Sequence, residues 1–255
     1  MKRIIVFILT LFLLLINSSV NAAPQIVKKE IKAVAKDGFN ISATLSYPRI
    51  KNQKEYSTVV LLHSLGYNSQ WWGDLPKELL AKGYAVLTID LRGHGESVYN
   101  KKLAKVSWKN LKNLAFSKYP NDIIAIMKTI NNENTRLSFF NNWAIVGADI
   151  GASAGILAAD EYSVEPKTIV MISPTVNSRG LYIPVSIAHL EKTDFLSISG
   201  TGDVASEEAE KYLSRFAQSE FMSFTSDSKT TGMLMLKNDP SLSLMITEWI
   251  FEYLN

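Results

Sequence analysis

The stretch "WAIVGADIGASAG", residues 143–155, contains two overlapping copies of a pattern in which glycines flank a central polar residue. The second copy, "GASAG", has Ser153 in the middle, and the first copy, "GADIG", has Asp149 there. Only the first copy follows directly on the apolar run "WAIV", which predicts a buried strand. The sequence therefore predicts that Asp149 lies in the turn that leaves this strand, and that Ser153 lies in the following helix.

The rest of the chain predicts alternating strands and helices. The apolar runs "STVVLLH", "YAVLTID", "TIVMISP" and "DFLSISG" are separated by amphipathic stretches, and alternating residues on both sides of Asp37-Gly38 indicate an antiparallel hairpin first. This order is typical of a mainly parallel sheet with helices on both faces. With 255 residues, of which 47% are hydrophobic and 20% charged, the composition fits one globular domain, which we place at residues 23–255.

The N-terminal segment predicts export. Two basic residues, Lys2 and Arg3, precede an apolar run, and small or polar residues follow up to Ala22. This pattern is typical of a secretory signal peptide, here residues 1–22, with cleavage after Ala22. We expect a periplasmic or secreted protein with no stable membrane span after cleavage, and an uncleaved anchor is the alternative. The chain has no cysteine, which excludes disulfides and thiol chemistry.

Charge and histidine content exclude several classes of ligand. The net charge of +3 includes two residues of the signal peptide, so the mature chain is close to neutral and nothing favours nucleic acid. Three scattered histidines without cysteine form no metal-ligand cluster, and no glycine-rich phosphate loop is present. We therefore expect neither a metal nor another cofactor.

Short polar motifs follow the predicted strands in a diagnostic order. They are "HSLG", "DLRGHGES", "GADIG" and "SGTGD". This series resembles the α/β-hydrolase fold, in particular the dienelactone-hydrolase-like esterases and peptidases, over nearly all of the mature chain. The resemblance implies a mainly parallel central sheet, helices on both faces and an N-terminal antiparallel hairpin, with chemistry at the carboxyl ends of the strands.

The resemblance also implies a role for particular residues. It puts Asp149 at the nucleophile position, Asp203 at the position of the triad acid, and Lys229 where relatives carry the histidine base. The oxyanion donors would be the backbone amides of Leu65 and Ile150. A serine and a histidine are thus replaced by a carboxylate and an ammonium, which we expect to form an ion pair that cannot exchange protons near neutral pH.

Two classes of function stay open. The first is a pseudoenzyme that binds a small molecule or a protein in the old cleft, whether Asp149 and Lys229 pair there or merely face solvent. The second is an active, esterase-like hydrolase on a small ester or amide, with Ser153 or Asp149 as its nucleophile. His63 and His94 are expected to shape loops, and His189 lies in a connection ahead of "DFLSISG".

Overall fold

A mixed sheet of eight strands lies at the centre of the protein. The computed structural model describes residues 24–134 and 136–255, so the predicted signal peptide, residues 1–22, lies outside the described residues. The strands are β1 (Ile26–Val34), β2 (Asn40–Pro48), β3 (Thr58–Leu62), β4 (Ala85–Asp90), β5 (Trp143–Ala148), β6 (Thr168–Ile172), β7 (Asn177–Ser178), β8 (Leu181–Tyr182), β9 (Asp194–Gly200) and β10 (Phe221–Ser226). The sheet has the order β1-β2-β4-β3-β5-β6-β9-β10, and β7 and β8 form a separate small hairpin.

Strand direction follows the predicted pattern. The pairs β1–β2 and β2–β4 are antiparallel, and the remaining neighbours in the sheet are parallel. The central strands β3, β5 and β6 are buried along their whole length, because helices cover both of their faces. The carboxyl ends of β3, β5, β6 and β9 therefore meet at one edge of the sheet, where the candidate site lies.

Helices cover the two faces of the sheet. They are α1 (Leu75–Ala81), α2 (Asn113–Phe116), α3 (Tyr119–Glu133), α4 (Ile150–Glu161), α5 (Pro184–His189), α6 (Val204–Leu213), α7 (Met233–Asn238) and α8 (Ser241–Leu254). Val60 and Leu62 of β3 share one apolar cluster with α3, α4 and α6, whereas Val59 and Leu61 share another with α1, α7 and α8. Alternate strand residues point to opposite faces, so the two clusters lie on opposite sides of the sheet.

One predicted helix is interrupted. The sequence predicts a continuous helix from about Trp71 to Lys82, but the structure has a 3-10 helix at Ser69–Trp72, followed by α1. Gly73 separates the two pieces with a φ of 58°, a conformation that ends a helix. The described part of the chain contains no helix that is both long and apolar enough to cross a membrane.

Candidate functional site

Asp149 lies at the corner between β5 and α4. It directly follows the last residue of β5 and precedes the first turn of α4, with a φ of 50° that non-glycine residues rarely adopt. A side chain at Gly147 would clash with Ala152, and one at Gly151 would clash with the carbonyl of Leu62. Both glycines are therefore needed for the tight turn, which we call the elbow. Its strained backbone holds Asp149 at the strand end.

The carboxylate of Asp149 lies against the amides that the resemblance assigns to oxyanion binding. Its Oδ2 atom accepts a long hydrogen bond of 3.4 Å from the N–H of Leu65. Burial raises the pKa of Asp149 above its usual value, whereas the N–H groups of Ile150 and Leu65 and the positive charge of Arg179 oppose this rise. The two amides thus face a carboxylate that belongs to the protein itself.

The ion pair predicted between Asp149 and Lys229 is not formed. Lys229 is exposed, and the ion pairs of the described residues, counted to 4.0 Å, do not include it. The segment around it runs along the end of β9, where Thr201 N–H donates to the carbonyl of Ser228 at 2.9 Å. Lys229 is exposed at that position and forms no ion pair among the described residues, so the prediction of a compensating pair was wrong.

Backbone rather than a basic side chain closes the elbow opposite Asp149. A Cβ built on Gly232 would lie 4.0 Å from Cβ of Asp149 and 2.5 Å from Oγ of Ser64. The Gly232 N–H donates to Oγ of Ser173 at 2.8 Å, and the Met233 N–H donates to Oγ of Ser64 at 3.2 Å. These two bonds draw the start of α7 against the elbow, which leaves little room for an imidazole between them.

Sequence reasoning found only part of this arrangement. The bond of Ser64 to Met233 joins residues 169 positions apart, so no local sequence pattern predicts it. No local pattern marks Ser173, which directly follows β6 and has a φ of 50°. Gly232 also has a positive φ, of 56°, and a lone glycine before a helix is too common to identify such a contact.

Asp203 occupies the helix start that follows β9. Its Oδ1 atom accepts a hydrogen bond of 3.3 Å from the N–H of Ser206, so it caps α6. Its Oδ2 atom is buried and has no hydrogen-bond partner among the described residues. No hydrogen bond or ion pair joins Asp203 to Asp149 or Lys229. The three triad positions are therefore not connected to one another.

The ring nitrogens of the two buried histidines form hydrogen bonds with backbone groups of the loops. His63 accepts from the N–H of Leu91 through Nε2 at 2.9 Å, and its Nδ1 donates to the carbonyl of Ser64 at 2.8 Å. His94 accepts from the N–H of Gly66 at 2.9 Å and stacks on Trp108 with ring centroids 5.6 Å apart. Burial lowers the pKa of His63 to about 4 and lowers that of His94, so both rings are neutral at pH 7.

His189 and Ser153 are also unable to complete a catalytic set. His189 is exposed and its Nδ1 lies 3.1 Å from Oδ1 of Asp160, away from the elbow. Ser153 is fully buried in α4, and its Oγ atom has no hydrogen-bond partner among the described residues. A serine nucleophile needs both access and a base, and Ser153 has neither.

Arg179 is a site residue that sequence reasoning missed. It lies between β7 and β8 with a φ of 54°, and its guanidinium lies 5.3 Å from the ring centroid of Phe116. Its charge also lowers the pKa of Asp149, which puts a cation within electrostatic range of the elbow. Only the fold brings the β7–β8 hairpin to this edge of the sheet, so the sequence carries no local signal for it.

A separate groove lies away from the elbow. It has a volume of about 740 Å³ and runs along the exposed faces of β1, β2 and β4, next to the 3-10 helix. Hydroxyls and charged side chains line it, among them Ser42, Thr44 and Thr88. Asp149 does not line this groove, so the groove is not the cleft of the elbow.

The match to known proteins agrees with this architecture. Residues 53–232 match the hydrolase family described as Serine aminopeptidase, S33. The matched range includes the elbow, the His63 and His94 loops, Asp203 and Lys229. The chain belongs to this family of α/β-hydrolases. No curated protein is significantly similar to it in sequence.

Solved structures share the fold at low sequence identity. An esterase from Pyrococcus furiosus is 15% identical, with 90% of this chain and 92% of that chain covered and a TM-score of 0.66. A dienelactone hydrolase from Anabaena variabilis is 15% identical, with 91% and 100% covered and a TM-score of 0.65. A peroxisomal α/β-hydrolase from Saccharomyces cerevisiae is 12% identical, with 91% and 90% covered and a TM-score of 0.68. These similarities establish the α/β-hydrolase fold.

Proposed function

We propose that this protein is a pseudoenzyme of the α/β-hydrolase fold, which binds a small molecule or a protein at the elbow cleft and does not hydrolyse esters or amides. One observation carries the proposal. The side chain at the nucleophile position, Asp149, is a half-buried carboxylate whose hydrogen-bond partner is the Leu65 amide rather than an imidazole. The group that a nucleophile needs to lose its proton or to activate water is therefore missing.

The chemistry of the carboxylate supports this proposal. Hydrolysis by a serine needs an oxyanion hole that is free to accept the negative oxygen of the tetrahedral intermediate. Here an oxygen of Asp149 already lies at the Leu65 amide, and its negative charge would repel that developing oxyanion. Asp149 thus both replaces the serine nucleophile and places a negative oxygen where the oxyanion would bind.

The alternative is a hydrolase that uses Asp149 as a carboxylate nucleophile, and family membership favours it. In such a route the Asp149 carboxylate attacks the carbonyl of the ester or amide, forms a mixed anhydride and releases the alcohol or amine, and a water activated by a base then hydrolyses the anhydride. His63 and His94, the buried histidines, have both ring nitrogens bonded to backbone. Without a free base, the acylated Asp149 would accumulate after one turnover, which mass spectrometry of the intact protein detects.

A fluorophosphonate probe tests the proposal against a serine hydrolase. The mature protein and its Ser153→Ala variant are incubated with the probe and labelling is measured. We expect no labelling of either protein, because Ser153 is buried without a base. Labelling of the unmodified protein that disappears in Ser153→Ala would overturn the proposal and identify Ser153 as the nucleophile.

We also propose that the protein is exported after removal of residues 1–22. The basic start, the apolar run and the small residues before Ala22 support this proposal. N-terminal sequencing of the protein recovered from the periplasm or the medium should begin at Ala23. A chain that keeps Met1 and sediments with membranes would instead support the uncleaved anchor.

A further inference from the structure

The two outer edges of the central sheet differ sharply in charge. At one edge, β1 has the sequence "IVKKEIKAV" and carries Lys28, Lys29, Glu30 and Lys32. At the other edge, β10 has the sequence "FMSFTS" and carries no charge, no proline and no glycine. Charged residues, especially lysine, are a common device that keeps an exposed strand edge from pairing with another chain. The protein protects β1 in this way and leaves β10 unprotected.

The β10 edge exposes apolar side chains as well as backbone. Four consecutive residues, 222–225, are exposed, and Met222 and Phe224 are 46% and 40% exposed. They lie on one face of the sheet, because they pair with Leu196 and Ile198, which belong to a single apolar cluster. An uncharged strand edge flanked by two exposed apolar side chains is unusual at a surface that faces only water.

The backbone direction of β10 is set by its bonds to β9. The carbonyls of Glu220 and Ser226 accept from Phe195 and Thr201, so these even-numbered residues point toward β9. Alternate residues along a strand direct their N–H and C=O groups to opposite sides. The N–H and C=O groups of Phe221, Ser223 and Thr225 therefore point outward, where the sheet has no further strand.

We propose that β10 pairs antiparallel with β10 of a second copy of this chain, which joins the two sheets across a two-fold axis at Ser223. In this register Ser223 faces Ser223 of the second copy, and Phe221 faces its Thr225. All of the outward N–H and C=O groups then form hydrogen-bonded pairs. Met222 faces Phe224 of the second copy in the non-hydrogen-bonded pairs, where opposite side chains come closest.

Charge also favours a second copy as the occupant. In the same register Glu220 faces Ser226 of the second copy and Asp227 faces its Ser219, so no like charges lie directly opposite each other. Pairing of β10 with β1 of another copy would instead place lysines beside this apolar edge and build an open chain of molecules. The two-fold pairing forms hydrogen bonds with the outward N–H and C=O groups of β10 and gives a closed dimer rather than an open chain of molecules.

The molar mass of the mature protein in solution tests this proposal, measured by light scattering after size exclusion. We expect a dimer for the unmodified protein and a monomer for Ser223→Lys, because two ammonium groups would face each other at the axis. The matched control is Ser163→Lys, which makes the same change at an exposed serine after α4 and should remain a dimer. A monomeric unmodified protein, an open-ended series of larger species, or a dimer that persists in Ser223→Lys would overturn the proposal.

A cross-link keeps the proposal testable if Ser223→Lys disturbs folding. The chain has no cysteine, so Ser223→Cys introduces a single thiol. Directly opposite residues in a hydrogen-bonded antiparallel pair have Cα atoms about 5.5 Å apart, within the range of about 4.4–6.8 Å seen for disulfides. Mild oxidation should convert Ser223→Cys, and not Ser163→Cys, into a covalent dimer that reductant releases. Equal cross-linking of the two variants would contradict the proposed axis.

Discussion

Asp149 carries an electrostatic cost because its carboxylate is half-buried and forms no ion pair among the described residues, so the charge of Arg179 offsets its burial only in part. Burial raises its pKa above the usual 3.8, so the folded protein binds the proton more tightly than the unfolded chain does. The resulting stability is fully present below about pH 3.8 and is lost as the pH rises through the raised pKa of the folded state. At neutral pH the ionised Asp149 therefore lowers the free energy of unfolding.

The variant Asp149→Asn should for this reason be more stable than the unmodified protein at pH 7, and the difference should shrink as the pH falls below 4. Asparagine keeps the side chain's size and can still accept from the Leu65 amide. Melting temperatures across this pH range measure the effect, with Asp227→Asn, at an exposed aspartate, as the control that should show no such trend. A variant that is less stable at pH 7 would show that the ionised carboxylate stabilises the fold.

Ser153 offers a second test with an internal comparison. Its buried hydroxyl has no hydrogen-bond partner among residues 24–134 and 136–255, whereas the buried hydroxyl of Ser197 donates to Oε1 of Glu210 at 3.0 Å. Removal of an unpaired hydroxyl is nearly neutral, but removal of a paired one leaves the other group unsatisfied, at a cost of about 1–3 kcal/mol. Chemical denaturation should therefore show little change for Ser153→Ala and a clear loss for Ser197→Ala. Equal losses would mean that Ser153 has a partner.

At the scale of elements, the sequence predicts those features that depend on residues close together in the chain, such as the ends of a helix or the turn after a strand. The run of small residues after the elbow predicts a helix over residues 150–161, which matches α4, and the run "WAIV" places the elbow at Asp149. The same reasoning fails for Lys229, because the position of a loop residue relative to the elbow depends on long-range packing. The bonds that draw Gly232 and Met233 to Ser173 and Ser64 are contacts of that kind.

The loop that follows β4, which we call the β4 loop, contains a network of ion pairs that no local sequence pattern predicts. The buried guanidinium of Arg92 lies 2.7 Å from Oδ1 of Asp122 and 2.7 Å from Oδ2 of Asp37, and its centre lies 4.5 Å from the ring centroid of Phe39. Arg92 also holds the pKa of Asp37 below its usual range. The network joins the β4 loop to the β1–β2 hairpin and to α3.

Loss of Arg92 should therefore destabilise the fold strongly. Arg92→Ala leaves Asp122 buried without its cation, and breaking a buried pair costs about 3–5 kcal/mol. Lys118→Ala is the matched control, since its ammonium lies 2.7 Å from the same Oδ2 of Asp37 but is exposed, and such pairs contribute at most about 1 kcal/mol. Urea denaturation of both variants measures the difference. Similar losses would mean that solvent screens the Arg92 pairs as well.

At the scale of the whole molecule, the chain has the α/β-hydrolase fold, with Asp149 at the corner between β5 and α4. The esterase and the dienelactone hydrolase share this fold, and in this chain it includes the eight-stranded sheet, the elbow and the neutral His63 and His94 loops. These features depend on glycine spacing and buried backbone bonds, which do not require a working triad. Stability and catalysis therefore rest on different residues, and one set can change without the other.

Hydrolysis of a small activated ester by the mature protein tests the central claim most directly. The release of nitrophenol from nitrophenyl acetate is compared between the unmodified protein and Asp149→Asn, which differ only in the charged group at the elbow. We predict equal rates, both at the level of the buffer with an equal mass of an unrelated protein, because no histidine of the described residues is bonded to Asp149. Sustained turnover by the unmodified protein that Asp149→Asn abolishes would contradict the pseudoenzyme and make Asp149 the nucleophile of an active hydrolase.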